Sequence, residues 1–106
     1  MTNLLDPLPV AEEEVFTPLL DRPAARIERI VSRGQVTPPD APYDQDHDEW
    51  VLLLAGAARL WTETDGERAL APGDALLIPT HVRHRVTWTQ AEPPTVWLAV
   101  HLEAPR

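Results

Sequence analysis

The sequence predicts an all-β domain of about seven or eight short antiparallel strands, arranged as a sandwich or a barrel. Three observations carry this expectation. Twelve prolines punctuate 106 residues and leave little room for long helices. The apolar runs are short, of strand length, and each ends on turn residues. Glycine and proline recur between them, at Gly34, Gly56, Gly66, Pro72-Gly73, Pro79 and Pro93-Pro94.

In chain order, residues 1–12 read as a loose N-terminal arm ahead of one domain spanning residues 1–106. Val15–Leu20 is a short strand, and Pro18 confines it to an edge. Arg26–Ser32 alternates, with Ile27, Arg29 and Val31 on one face and Glu28, Ile30 and Ser32 on the other. One helical turn would also place Ile27 with Ile30 or Val31, but Gly34 and the following prolines favour the strand. Thr37–Pro42 is a stiff, extended loop. Trp50–Leu54 is a continuous apolar strand broken by Gly56. Arg59–Thr64 and Arg68–Ala71 flank Asp65-Gly66, the signal for a two-residue hairpin turn. Pro72-Gly73-Asp74 turns the chain into Ala75–Ile78, which Pro79 stops. Arg85–Thr89 alternates, Ala91–Pro94 turns, and Thr95–Leu102 is the last strand.

Composition removes several function classes. Seventeen acids against nine bases give a net charge of −8, and every base is arginine. Such a chain repels phosphate backbones, so no nucleic-acid partner is expected. Without lysine there is no Schiff base and no phosphate-binding loop of the P-loop type. Without cysteine there is neither thiolate chemistry nor a cysteine zinc site, and a reducing compartment is the natural setting. The N-terminus has no basic region of a signal peptide, and the longest apolar run, Trp50–Ala58, is too short to span a bilayer. A cytoplasmic location without a membrane partner follows as the expectation. Ser32, the only serine, lies in no nucleophile elbow.

Two segments place chemistry beside strands: Tyr43–Glu49 ahead of Trp50–Gly56, and Pro72-Gly73-Asp74 running to His84. Glu49 is followed by six residues and then Gly56; Gly73 is followed by five and then Pro79, with His84 five further on. In these spacings the chain resembles small single-domain proteins of the cupin superfamily, over roughly residues 27–102. The resemblance implies a double-stranded β-helix, or jelly-roll, barrel of two antiparallel sheets around a cavity. It also implies a divalent metal held by three histidines and a glutamate. Only Glu49 and His84 match that set. Tyr43 and Gln45 stand at the two histidine positions of the first motif, His81 replaces a glycine of the second, and Trp88 its final asparagine.

Tyr43, Gln45, His47 and Glu49 share one face if the segment is extended. Glu49 and His84 from the resemblance, and Gln45 through its side-chain oxygen, are the expected ligands of a divalent ion (Mn, Fe, Zn or Ni), with His47 as the fourth. Tyr43 is expected on the cavity wall. Trp88 is expected there too, because it shares parity with His84. Plainer roles stand beside these: Glu49 pairing with Arg59, His81 solvated in its turn, His101 structural. Asp44, Asp46 and Asp48 resemble a calcium loop, but the required glycine is missing and Ala55 stands where the bidentate glutamate belongs. They are expected to point outward.

With Glu49 inward, Val51, Leu53 and Ala55 follow it, while Trp50, Leu52 and Leu54 point out. That outer face is too apolar for a lone barrel; either the N-terminal strands or a second subunit covers it, and a homodimer is expected across it. The functional expectation is a metal-dependent enzyme or binder of a small-molecule ligand. Isomerase, dioxygenase, decarboxylase and lyase chemistries all occur on this barrel, so the fold does not choose among them. The alternative is a metal-free binding module using Gln45, Glu49, Arg59 and His84 as polar contacts. A sensor barrel ranks last, because the chain offers no DNA-reading element.

Overall fold

A computed structural model describes residues 1–103. Eight strands follow in order: β1 (Val15–Arg22), β2 (Ala25–Ser32), β3 (Asp48–Ala55), β4 (Ala58–Thr62), β5 (Gly66–Leu70), β6 (Ala75–Ile78), β7 (His84–Thr89) and β8 (Thr95–Leu102). They form a five-stranded sheet, β1-β2-β8-β3-β6, and a three-stranded sheet, β5-β4-β7. Every pairing within them is antiparallel. The all-β, two-sheet expectation holds, and Pro18 lies on an edge strand as its missing N–H requires. The β1–β2 register shifts directly after it, between Pro18 and Leu20. Among the described residues no helix is long and apolar enough to cross a membrane.

Period-2 alternation sorts β3. Glu49, Val51 and Leu53 are buried, and Trp50 between them is exposed. Val51 and Leu53 join Ala58, Leu60, Leu70, Ile78 and Trp97 in the core between the sheets. Full burial of each large side chain stabilises by about 1.5–3 kcal/mol. Ala55 departs from the expected inward parity. A register shift between Leu53 and Ala55 sets it opposite Val96, out of step with the inward row.

Outside, the five-stranded sheet carries a continuous apolar row of cross-strand neighbours: Leu77, Trp50, Val100, Ile27 and Leu20. Leu77 is 52% exposed and Trp50 36%.

The first twelve residues form no strand, yet they do not hang free as a loose arm would. The Arg29 guanidinium donates to Leu4 O at 3.3 Å, and that of Arg33 to Pro9 O at 2.9 Å. The Gln35 amide donates to Glu12 O at 2.8 Å. The arm thus gives buried Arg29 one acceptor, beside the Thr17 Oγ1 that the neighbouring strand offers at 3.4 Å.

The Asp65-Gly66 signal marks a hairpin, but three residues, not two, separate the paired Thr62 and Gly66. Gly66 adopts a left-handed φ of 76°. Gly56 (φ 83°) is tighter, because an added Cβ would lie 2.7 Å from Thr95 Cα. Gly66→Ala is expected to cost about 1–2 kcal/mol of backbone strain alone. Gly56→Ala should cost a further ~1–3 kcal/mol from overpacking. Equal urea midpoints for the two variants would contradict this placement.

Candidate functional site

The two sheets enclose a cavity of about 320 Å³. Its walls include Phe16, Ile30, Val51, Leu60, Val86 and Trp97; its polar lining includes Glu14, Glu28, Tyr43, Gln45, Glu49, His84 and His101. Sheet geometry explains the set. Glu49 sits opposite His101 on β8 and Ile78 on β6, so the inward faces of three strands converge there. From the other sheet, β7 begins at His84.

The connection from β2 to β3 crosses to the second sheet on its way. Thr37 N–H donates to Val86 O at 2.9 Å, and Tyr43 exchanges two backbone hydrogen bonds with His84, at 2.8 and 3.1 Å. His81 N–H then donates to Gln45 O at 2.7 Å. This extended segment covers the free edge of β7 and presents Tyr43 and Gln45 to the cavity. The Tyr43 ring stacks on His84 with centroids 5.3 Å apart and planes inclined by 22°.

His84 is 5% exposed. Its Nδ1 lies 3.2 Å from Val82 O, which directs Nε2 toward Glu49 Oε1, 3.7 Å away. Gln45 Oε1 is buried and has no hydrogen-bond partner among the described residues. Burial, and the charges of Glu14, Glu49 and Glu28, push the Tyr43 phenol above its usual value of 10.0. The phenol therefore stays protonated and faces carboxylates.

Several expectations are corrected here. His47 is not among the cavity-lining residues: its Nε2 lies 2.9 Å from His101 Nδ1 and its Nδ1 3.2 Å from Asp46 Oδ1. Trp88 is 46% exposed and lies outside the lining. The cause is a bulge in β7, where Arg59 pairs with Trp88 but Leu60 with Val86. Skipping Thr87 reverses the parity counted from His84. Arg59 faces solvent and pairs with Glu67 at 3.4 Å, far from any role beside Glu49.

His101 was expected to be structural, yet it lines the cavity, with Nε2 2.9 Å from Glu28 Oε1. Glu28 and Glu14 are further lining residues that the motifs do not mark. The alternation of β2, with Glu28 beside Ile30 on one face, is the signal that points to Glu28. Asp48 turns away as expected, with Oδ1 accepting from Thr80 N–H at 2.8 Å. His81 has φ 60°, the left-handed conformation that suits glycine, and its Nδ1 lies 2.7 Å from Asp44 Oδ1. Its side chain is two-thirds exposed, at 67%.

The Cupin domain family model matches residues 29–101. This chain belongs to the cupin family. A solved structure from Ralstonia eutropha JMP134, provisionally named mannose-6-phosphate isomerase, is 49% identical with TM-score 0.93, covering 98% of both chains. A cupin superfamily protein from Desulfitobacterium hafniense DCB-2 is 18% identical, covers 95% of this chain and 87% of its own, and has TM-score 0.79. An RmlC-like cupin from Methanocaldococcus jannaschii with a double-stranded β-helix fold is 17% identical (88% and 83% coverage, TM-score 0.70). These two likenesses show the fold alone. No curated protein matches.

Cupins commonly bind metal ions, which requires several donors converging on one point. Among the described residues no group of three or more His, Cys, Asp or Glu side chains converges to hold an ion. His47 is committed to His101, and Tyr43 occupies a ligand position as a protonated phenol. The residues do not fit the four-donor centre of the family resemblance.

Glu14 yields a prediction from its own environment. Burial raises its carboxyl above the usual value of 4.5, while the hydrogen bond from Ser32 Oγ pulls the other way. A raised carboxyl stabilises the fold fully below its unfolded value, and the contribution is lost as pH rises through the folded one. Glu14→Gln, which keeps an acceptor for Ser32, should therefore be more stable than the parent near pH 7. The gap should close as pH falls toward 4.5. Chemical denaturation across this range checks it; a gap that widens toward acid would be the wrong sign.

Proposed function

We propose that this cupin binds a small-molecule ligand in the cavity through Glu49, His84 and Gln45, without a resident metal ion. One observation carries the reading. Glu49 and His84, both buried and contributed by different sheets, lie 3.7 Å apart on the wall of a cavity with room for a ligand. Gln45 Oε1 supports it, since a buried acceptor without a donor is costly until a ligand donates to it. Two carboxylate–imidazole pairs, Glu49–His84 and Glu28–His101, are capable of taking and returning protons to a bound molecule. The name of the Ralstonia relative suggests isomerisation, a reaction class that needs such transfers.

A second reading has its own support. With Gln45 Oε1 unpartnered, Gln45, Glu49 and His84 offer an amide oxygen, a carboxylate and an imidazole to a divalent ion (Mn, Fe, Zn or Ni). Such an ion would polarise a bound oxygen.

A cytoplasmic setting and the absence of a nucleic-acid partner belong to the same proposal. So does a homodimer across the row Leu77, Trp50, Val100, Ile27 and Leu20, which would remove this apolar surface from water. Light scattering after size exclusion at low micromolar concentration should return the mass of a dimer; Trp50→Glu should return a monomer. A parent protein that is monomeric throughout removes this part of the proposal.

Plasma mass spectrometry of untagged protein, grown with each metal in turn, separates the two site readings. The primary reading expects far less than one ion per chain. One ion per chain, lost in both His84→Ala and Glu49→Ala, would establish the metal site instead.

A further inference from the structure

We infer that the cavity selects a small organic cation, an amine carried on an apolar body, and rejects phosphorylated and carboxylated compounds. The inference rests on the reading that the cavity binds a small molecule, and it assigns the class of that molecule.

Charge is the first argument. Glu14, Glu28 and Glu49 line the cavity, and no arginine or lysine does so among the described residues. Among the described residues His84 and His101 are the only lining groups that can become cationic, and each already lies against a glutamate, at 3.7 and 2.9 Å. With both imidazoles protonated and the three carboxylates ionised, one negative charge is left over. With both neutral, three are left. No protonation state of the histidines gives an anion a positive partner without first breaking a carboxylate–imidazole pair. Arg59 and Arg68 are engaged with Glu67 and Asp65 on the outer surface, and exposed Arg26, opposite His101 in the sheet, is not among the residues that line the cavity. A phosphate dianion would enter a low-dielectric space of its own sign, where repulsion is least screened.

Hydrogen-bonding capacity is the second, independent argument. Gln45 Oε1 is a buried acceptor without a donor. Beside it the lining carboxylates offer more acceptor sites than the cavity has protons for. An ammonium brings up to three N–H donors to such a set. The rest of the lining excludes a wholly polar guest. Phe16, Ile30, Val51, Leu60, Val86 and Trp97 need an apolar body against them. Aromatic rings in the wall also attract cations.

The Ralstonia relative carries a name that calls for a phosphorylated sugar. Among the described residues this cavity is lined by no arginine or lysine to hold that phosphate, so substrate class does not pass to this chain with the name.

The test is a nuclear magnetic resonance titration with three ligands that share one body: 2-phenylethylamine, 2-phenylethanol and phenylacetate. Mannose 6-phosphate is the fourth. Signals of the Trp97 indole and the Val51 and Val86 methyls report on the cavity. The amine should shift them with a Kd at least about tenfold below that of the alcohol, a difference of ~1.4 kcal/mol. Phenylacetate and mannose 6-phosphate should leave them unmoved at the same concentrations. The preference of amine over alcohol should fall to about threefold or less in the Glu14→Gln/Glu28→Gln variant. Equal affinity for amine and alcohol in the parent overturns the inference. So does binding of either anion as tight as that of the amine, which would leave the cavity a ligand site of the opposite selectivity. If none of the four moves a cavity signal, the underlying reading falls and the inference falls with it.

Discussion

The exchange of backbone hydrogen bonds between Tyr43 and His84 is the interaction on which the cavity depends. β7 is the last strand of a three-stranded sheet, and without a neighbour its outer edge would open to water. The β2–β3 connection supplies that neighbour, pairing at Thr37 and again at Tyr43 before returning to the larger sheet. Prolines at 38, 39 and 42 restrict the same stretch in the unfolded chain and lower the entropy lost in ordering it. One segment thus closes the barrel, stacks a phenol on His84 and aims an amide at the cavity. Function and closure share the same residues.

What the cavity holds follows from its sign. Buried carboxylates are costly unless partnered, and two of the three here lie against an imidazole. The third, Glu14, takes a hydrogen bond from Ser32 and remains raised by burial. Tyr43 registers the combined field of all three, since their charges help keep its phenol protonated. A site of this kind recognises donors and cations. The loss of the two motif histidines, replaced by Tyr43 and Gln45, removes nitrogen ligands and adds a hydroxyl and an amide in their place.

Much of this was legible in the chain. Turn residues and period-2 alternation located all eight strands within a few residues, because each strand has one buried face. Motif spacing brought Glu49 and His84 together, since the cupin barrel places those positions on facing strands. The failures share a physical cause. Trp88 was counted along β7 by parity, and a bulge at Thr87 that depends on the partner strand reversed the count. His101 and Glu28 are 73 residues apart, so only the pairing of β2 with β8 makes them neighbours. His47 shared parity with Gln45 and Glu49, but its imidazole found His101 instead of the cavity. Local pattern fixes which face a residue takes while a strand stays regular; bulges and long-range partners decide the rest.

The central claim is that the ligand-facing segment is paired backbone, held before any ligand arrives. Native-state hydrogen exchange of the Tyr43 and His84 amides tests it most directly, because each donates to the other's carbonyl, at 2.8 and 3.1 Å. The account predicts that both amides exchange as slowly as those in the middle of β8, although Tyr43 lies in a proline-rich connection. Exchange of the Tyr43 amide at the rate of the exposed β4–β5 turn would contradict it.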